Sequence, residues 1–443
     1  MNSQINNSKR FYIHTLGCKV NQYESQIMRE VLVKKGYKEC LSKDIAEIYI
    51  LNTCTVTHEA DKESRHWVGL FHRTNPLARI IVTGCFAEND ADQISFLPGV
   101  SRIIKNSEKH RIAEYLDGNQ VASDGTDTAG LTIAGFQGHT KVFVKIQDGC
   151  ENRCAYCKVP LVRTVLKSKP IKNIVEECTA LVKNGFKEII LTGICLGAWG
   201  KDFFPGEMAS LAGLSGLTLL DALKAINGIE GDFRIRLSSV EPRYVTDELI
   251  EFIAKTPRIC RHLHIPFQSG DDEVLRRMNR SYTAAEYKRI VSAVRSGIKD
   301  AAITTDILVG FPGESEECFR NTVNFIKEIV PSRTHLFTFS KRGGTAAQAM
   351  TDEIDAETAR RRYLTLKTVT MMSSCIYRSL FLGRKLDVLV EAKRDRHSGL
   401  LTGYSGNYIK MFFEGPDELM KNVVPVKITG ITMMCTLGEF DGR

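Results

Sequence analysis

The sequence predicts an α/β protein in three parts: an N-terminal parallel-sheet α/β domain over residues 9–120, a central partial (βα)6 barrel over 136–370, and a small C-terminal β-barrel over 376–443. Three observations carry that reading. The first ~120 residues alternate apolar strand-like runs with amphipathic helical stretches. Six further strand candidates, with helical patterns between them, recur from 140 to about 340. Residues 384–443 then carry short β-type runs broken by Gly, Asn and Pro. A chain of 443 residues is too long for one ordinary domain, and 43% hydrophobic with 25% charged residues are globular values.

In the first part, FYIHTL, EIYILN and ARIIVTG read as buried strands, and residues 21–35 and 57–73 as helices. The stretch 118–139, rich in Gly, Ser, Thr and Asp, reads as a linker. In the second part the strand candidates are KVFVKIQ, KEIILTG, FRIRLSS, RHLHIPF, AITTDILVG and THLFTFS; helical patterns occupy 170–184, 246–254, 283–296 and 314–329. A site in such a barrel is expected at the C-terminal ends of its strands. A charged helix over roughly 352–380 leads to the tail, where KLDVLVEA, YIKMFF and VVPVKITG read as strands. No apolar run approaches the ~18–20 residues of a membrane span, and MNSQINNSKR lacks the apolar segment of a secretory signal. A cytoplasmic protein without a membrane partner is therefore expected. The net charge of +8 permits a polyanionic partner without demanding one.

Thirteen cysteines, an odd number without an export signal, point to metal or catalytic thiols rather than a disulfide framework. Three of them lie in GCENRCAYC, Gly149 to Cys157, after a strand-like run and before Pro160. Cys150, Cys154 and Cys157 could line a buried helix face, or form a zinc site with a distant His. An iron–sulfur cluster fits better, because a short loop of thiolates can wrap three corners of a cubane and leave the fourth iron open. Cys18, Cys54 and Cys85 are separated by 36 and 31 positions, yet each follows a predicted parallel strand and precedes a helix. Loops at the C-terminal ends of neighbouring parallel strands can meet at one point, and helix N-termini there favour thiolate.

CxxxCxxC with Tyr156 before its last cysteine resembles the signature of radical S-adenosylmethionine (SAM) enzymes. The resemblance implies that an open iron chelates SAM, whose one-electron cleavage gives a 5′-deoxyadenosyl radical. It implies further that cofactor-binding residues sit at successive strand ends: Thr192 and Gly193 in LTG; Arg236, Ser238 and Glu241 in RIRLSSVEP; Gln268 in HIPFQSG; and Gly310, Pro312 and Gly313 in VGFPGE. Taken together, the three early cysteine segments, the CxxxCxxC loop and the small β tail resemble the methylthiotransferase family over nearly the whole chain, 10–440. That family's pattern implies a second [4Fe-4S] cluster on Cys18, Cys54 and Cys85, bearing the sulfur to be transferred. One SAM would methylate that sulfur and a second would supply the radical.

The segment GCKVNQYES resembles the branch that modifies N6-threonylcarbamoyladenosine beside the tRNA anticodon. The isopentenyladenosine branch usually reads GCQMN there and the ribosomal-protein branch GCPKN. The anticodon loop of tRNA, and an electron donor such as a flavodoxin or ferredoxin, are the partners this implies. The tail resembles a TRAM domain, whose RNA-facing surface would use Arg384, Lys385, Lys393, Arg394 and Arg396 with Tyr404, Tyr408, Phe412 and Phe413. Two departures stand out. Arg163, a candidate substrate contact, is followed by Thr164 where Gly is frequent, and Cys195 stands where Asn or His is usual. Cysteines 40, 178, 260, 318, 375 and 435 read as structural. Outside enzymes, the alternative is a metal-containing RNA-binding or redox-sensing protein.

Overall fold

The Ile- and Val-rich runs of the first hundred residues pair into a parallel sheet. In the computed structural model, which describes residues 9–40, 42–43, 46–117, 130–136, 139–203, 216–440 and 442, its strands are β1 (Arg10–Thr15), β2 (Lys38–Glu39), β3 (Ile48–Thr53), β4 (Arg79–Gly84) and β5 (Val100–Ile104). Their order is β2-β1-β3-β4-β5. The central β3 is buried along its whole length. Tyr49 and Leu51 pack into one cluster and Ile48 and Ile50 into another, as alternation between two covered faces requires. Strand β5 and the two-residue β2 are additions to the sequence reading. Residues 118–129 and 137–138 of the expected linker lie outside the described residues.

The barrel strands are β6 (Val142–Lys145), β9 (Glu188–Thr192), β10 (Arg234–Leu237), β11 (His262–His264), β12 (Ala302–Val309) and β13 (Arg333–Thr338), with a short antiparallel pair, β7 (Gln147–Asp148) and β8 (Lys167–Ser168), at one end. Two three-stranded parallel sheets, β6-β9-β10 and β11-β12-β13, are joined by bridges Ile235↔Ile259 and Ser239↔His264. The result is one open row of six strands. Helices Ile171–Lys183, Leu219–Asn227, Asp247–Lys255, Ala284–Gly297 and Glu316–Ile329 alternate with them and bury their apolar stripes in one large core. Their starts obey local chemistry: the Ser315 hydroxyl accepts from Cys318 N, and Thr283 forms a capping box with Glu286.

The charged helix runs Ala356–Ser379 and hands over to β14 (Lys385–Val390), β15 (Leu401–Ser405), β16 (Lys410–Phe413), β17 (Val423–Ile431) and β18 (Thr436–Phe440). These close into a barrel in the order β14-β15-β16-β18-β17. Phe413 is part of that barrel's core rather than a stacking surface. Tyr408 is turned inward against the central part, 4.4 Å from the His262 ring. No helix among the described residues is long and apolar enough to cross a membrane.

Candidate active site

Cys18 caps the helix Lys19–Lys34 after β1, Cys54 directly follows β3, and Cys85 opens the helix Cys85–Asn89 after β4. Strands β1, β3 and β4 are neighbours, with Thr15 paired to Asn52 and Thr53 to Gly84. The three loops therefore leave the sheet side by side. Glycines let them touch: at Gly17 (φ +89°) a Cβ would lie 2.7 Å from Cys54 Sγ, and at Gly84 (φ +98°) 2.3 Å from the Thr53 carbonyl. Cys54 and Cys85 are buried, whereas solvent reaches Cys18. Burial nevertheless raises the Cys18 pKa, as it does for a group on a crowded cavity wall. Cys54 is pushed up to about 12, chiefly by burial and further by the charges of Cys85 and Cys18, with N–H donors of Val56 and Thr55 opposing.

This donor set fits an iron–sulfur cluster: three free thiols within electrostatic reach of one another, backbone N–H groups aimed at sulfur, and helix N-termini behind them. Among the described residues no group of three or more His, Cys, Asp or Glu converges as a single metal ion requires. A cubane takes each thiolate on a different iron and asks for a wider trio.

The second trio sits where β7 ends. Gly149 (φ +77°) turns the chain so closely that a Cβ would meet the Val165 carbonyl at 2.0 Å. The loop is then pinned from outside: Ala155 N donates to Met278 O (2.9 Å) and Asn279 Nδ2 to Arg153 O (2.6 Å). Arg280 donates to Cys154 Sγ at 3.2 Å while its other terminal nitrogen meets Glu241 at 2.5 Å. Glu241, expected at the cofactor, thus orients the arginine on Cys154. Cys195 is buried beside this loop, 3.9 Å from Asn152 Nδ2, and its thiol donates to Cys150, lowering Cys150 to about 7. Burial pushes Cys157 up to about 12, with the charges of Cys154 and Cys150 adding to it.

The other expected cofactor residues divide. Tyr156 packs edge-on against Phe311, their centroids 6.4 Å apart. Thr192 ends β9, and Gly193 passes so near Gln147 that a Cβ would lie 2.8 Å from its Oε1. Gln268 holds a left-handed conformation (φ +73°), with its N–H on the Asp306 carbonyl at 2.8 Å. The turn through Gly310, Pro312 and Gly313 has two positive-φ glycines; Gly310 N donates to Glu314, and Arg277 Nε donates to Pro312 O. Ser238 is buried with its hydroxyl unpartnered at the end of β10, an orphan that a polar ligand would satisfy.

Arg236, also expected at the cofactor, spends its donors within the protein: its guanidinium is buried on Glu188 (2.9 Å) and donates to the carbonyls of Ser405 (3.0 Å) and Gly406 (3.1 Å) in the C-terminal barrel. Arg163, expected at the substrate, is buried, pairs with Glu24 (2.8 Å) and Asp148 (2.8 Å), and donates to Asn21 at 3.1 Å, which makes it a brace between the two parts. Lys109 and Lys145 complete this network on Glu24 at 2.5 and 2.7 Å. Burial alone would raise the Glu24 carboxyl; Arg163, Lys109 and Lys145 instead hold it well below the ordinary range. Sequence reading missed Glu24, whose partner Arg163 lies 139 residues away, and with it Asp148, which shares that arginine.

Comparison with known proteins follows the same division. A family described as Uncharacterized protein family UPF0004 matches residues 10–104, and the Radical SAM superfamily matches 144–326. Threonylcarbamoyladenosine tRNA methylthiotransferase MtaB of Bacillus subtilis is 35% identical over 96% of this chain and 95% of that protein. The protein of the same name from Thermotoga maritima is 38% identical over 92% of each. A tRNA-2-methylthio-N(6)-dimethylallyladenosine synthase from Symbiobacterium thermophilum is 33% identical over 95% of this chain and 92% of its own. Among solved structures, the radical SAM methyltransferase TsrM of Kitasatospora setae matches with a TM-score of 0.53 at 16% identity, covering 77% of each chain, a likeness of fold.

Proposed function

The chain belongs to the radical SAM methylthiotransferase family, and on that premise we propose that it installs a methylthio group on C2 of N6-threonylcarbamoyladenosine at position 37 of tRNA. It is a transferase, with SAM and a [4Fe-4S] cluster as cofactors. In our reading Cys150, Cys154 and Cys157 hold that cluster, Cys18, Cys54 and Cys85 hold a second, and a flavodoxin or ferredoxin supplies electrons. When bound, the clusters supply the electron that cleaves SAM and the sulfur that is transferred.

The residues' own work is binding and exclusion. Arg280 fixes Cys154, Cys195 fixes Cys150, and Tyr156 on Phe311 closes the loop against water. Thr192, Gly193, Ser238, Gln268 and the Gly310–Gly313 turn lie at the strand ends where a nucleoside cofactor would lie. Residues 9–120, 136–370 and 376–443 act as sulfur-cluster, radical and RNA-binding parts.

The observation that carries this reading is the pair of cysteine trios, one at the C-terminal edge of the N-terminal parallel sheet and one in the loop that follows β7. The substrate rests on the two relatives that share its name at 35% and 38% identity over more than nine-tenths of the chain. Deleting the gene and digesting bulk tRNA for nucleoside mass spectrometry tests it. The methylthio form should vanish while threonylcarbamoyladenosine accumulates; its retention would reject the substrate. After anaerobic reconstitution, a triple Cys18→Ala, Cys54→Ala, Cys85→Ala variant should keep about half the iron of the wild type.

A further inference from the structure

Lys19 is a cation in an unfavourable place. It is the first residue of the helix Lys19–Lys34, where the positive end of the helix dipole opposes an ammonium, and it is half-buried. Among the described residues nothing hydrogen-bonds or ion-pairs its Nζ. The charges around it are Cys18, Arg236, Asp306 and Lys141. Arg236 is already matched by Glu188 and Lys141 by Glu391, both at 2.9 Å. Lys19 is left over.

Within reach of its charge, on the barrel strands, is a polar group that the cluster chemistry does not use. Register places His264 beside Thr304 and His335 beside Asp306. The Asp306 carboxylate lies 3.2 Å from His264 Nε2 and 3.5 Å from His335 Nδ1, bridging the two imidazoles. His264 Nδ1 meets Thr304 Oγ1 at 2.8 Å. The charge of Lys19 reaches both Asp306 and His335. An unpaired cation and a set of donors and acceptors thus share one space, beside the Cys18 sulfur.

We propose that Lys19, Asp306, His264 and His335 form the subsite for the carboxylate-bearing arm of the substrate nucleoside. Lys19 takes the arm's carboxylate, and the imidazole–carboxylate group takes its hydroxyl and urea. The inference rests on the threonylcarbamoyladenosine reading above. Its geometry follows from the purine: C2 and the carbon bearing N6 flank the same ring nitrogen, so the arm must lie close to the reacting carbon and hence to Cys18. An aliphatic arm would desolvate Lys19 without pairing it, so the same residues discriminate against that arm.

The test is binding of anticodon stem-loop RNAs to the reconstituted full-length protein under anaerobic conditions. The loops carry threonylcarbamoyladenosine, its neutral carboxamide analogue, dimethylallyladenosine or adenosine at position 37. Wild type should prefer the first. Lys19→Gln should lose roughly ten- to a hundredfold affinity for that loop alone, the scale of one charge-assisted hydrogen bond. Iron content and the electron paramagnetic resonance signal should stay unchanged, and wild type should bind the carboxamide as weakly as the variant binds the acid. Lys19→Arg should keep the preference. His335→Gln, whose native side chain is 44% exposed and so tolerant of change, should lose part of it. An undiminished preference in Lys19→Gln, an equal loss for every loop, or loss of iron with the preference intact would each overturn the subsite; the last would leave Lys19 as a counter-charge for Cys18. A wild type that does not favour the acid-bearing loop refutes the substrate reading itself, before any variant is compared.

Discussion

Gly149 is where one missing side chain decides whether three thiols can face one centre. Its φ of +77° and the Val165 carbonyl 2.0 Å from any added Cβ leave room only for hydrogen. Gly149→Ala carries about 1–2 kcal/mol of left-handed strain before the clash is relieved, and relief must displace Cys150. Reconstituted iron should fall toward that of a Cys150→Ala variant, with the early trio still loaded; iron assay and Mössbauer spectra check this. The glycine and the cysteine spacing were legible in the sequence. Arg280 and Cys195 were not legible as partners of Cys154 and Cys150, because Arg280 lies 126 residues from Cys154 and a lone thiol near a strand end has many uses. Cys195 gives a direct prediction. Its thiol donates to Cys150 and holds it at about 7, so in apo-protein Cys195→Ala should raise Cys150 toward the ordinary value of 9.0 and slow its alkylation at neutral pH. Peptide-resolved labelling rates across pH measure that shift; an unmoved profile refutes the contact.

At the scale of elements, β9 and β10 do more than lead into loops. Glu188 on β9 pairs with Arg234 (2.6 Å) and Arg236 (2.9 Å) on β10, and both arginines reach on to carbonyls of the C-terminal barrel. Burial opposes the Glu188 charge, yet Arg236 and Arg234 hold its carboxyl at about 2 against an ordinary 4.5. The folded value is the depressed one, so its stabilisation is complete above pH 4.5 and is lost as pH falls toward 2. At neutral pH it is worth roughly 3 kcal/mol. Glu188→Gln should flatten the acid limb of the stability–pH curve in that window, which urea titrations at stepped pH would show. The sequence marked Arg236 for the cofactor because it sits near a strand end; its true partners, 170 residues on, were invisible. The same distance effect hid two strands of the tail. Within β15, Gly403 lies where a Cβ would be 2.5 Å from the Leu389 carbonyl, and within β18, Gly438 lies where one would be 2.5 Å from Val426 Cγ1. Close crossing in a small barrel demands glycine, and glycine erases the strand pattern that β14, β16 and β17 kept.

For the whole molecule, what matters is that two sheets hold their C-terminal edges in a fixed relation. The Glu24 network supplies that brace. Glu24 and Lys109 come from the N-terminal part, while Lys145, Asp148 and Arg163 come from the barrel. Three cations and two carboxylates are concealed between the parts, and a cavity of about 430 Å³ opens against them. Such a network is poor glue compared with packed hydrocarbon, because each charge loses its hydration. Its value is positional: bidentate arginine geometry admits one alignment. Removing one member should therefore be far costlier than the net worth of the network. Glu24→Ala leaves Lys109, Lys145 and Arg163 with Asp148 alone, and the expected loss is about 3–5 kcal/mol of unfolding free energy. The loss should fall on the junction between the parts rather than on either sheet. Hydrogen exchange should thus quicken along the helix Lys19–Lys34 and the loop before β8, while β3 and β12, buried in their own cores, keep their protection. Uniform acceleration through β3 and β12 would mean that the two parts fold as a single unit and that the brace has no separate existence.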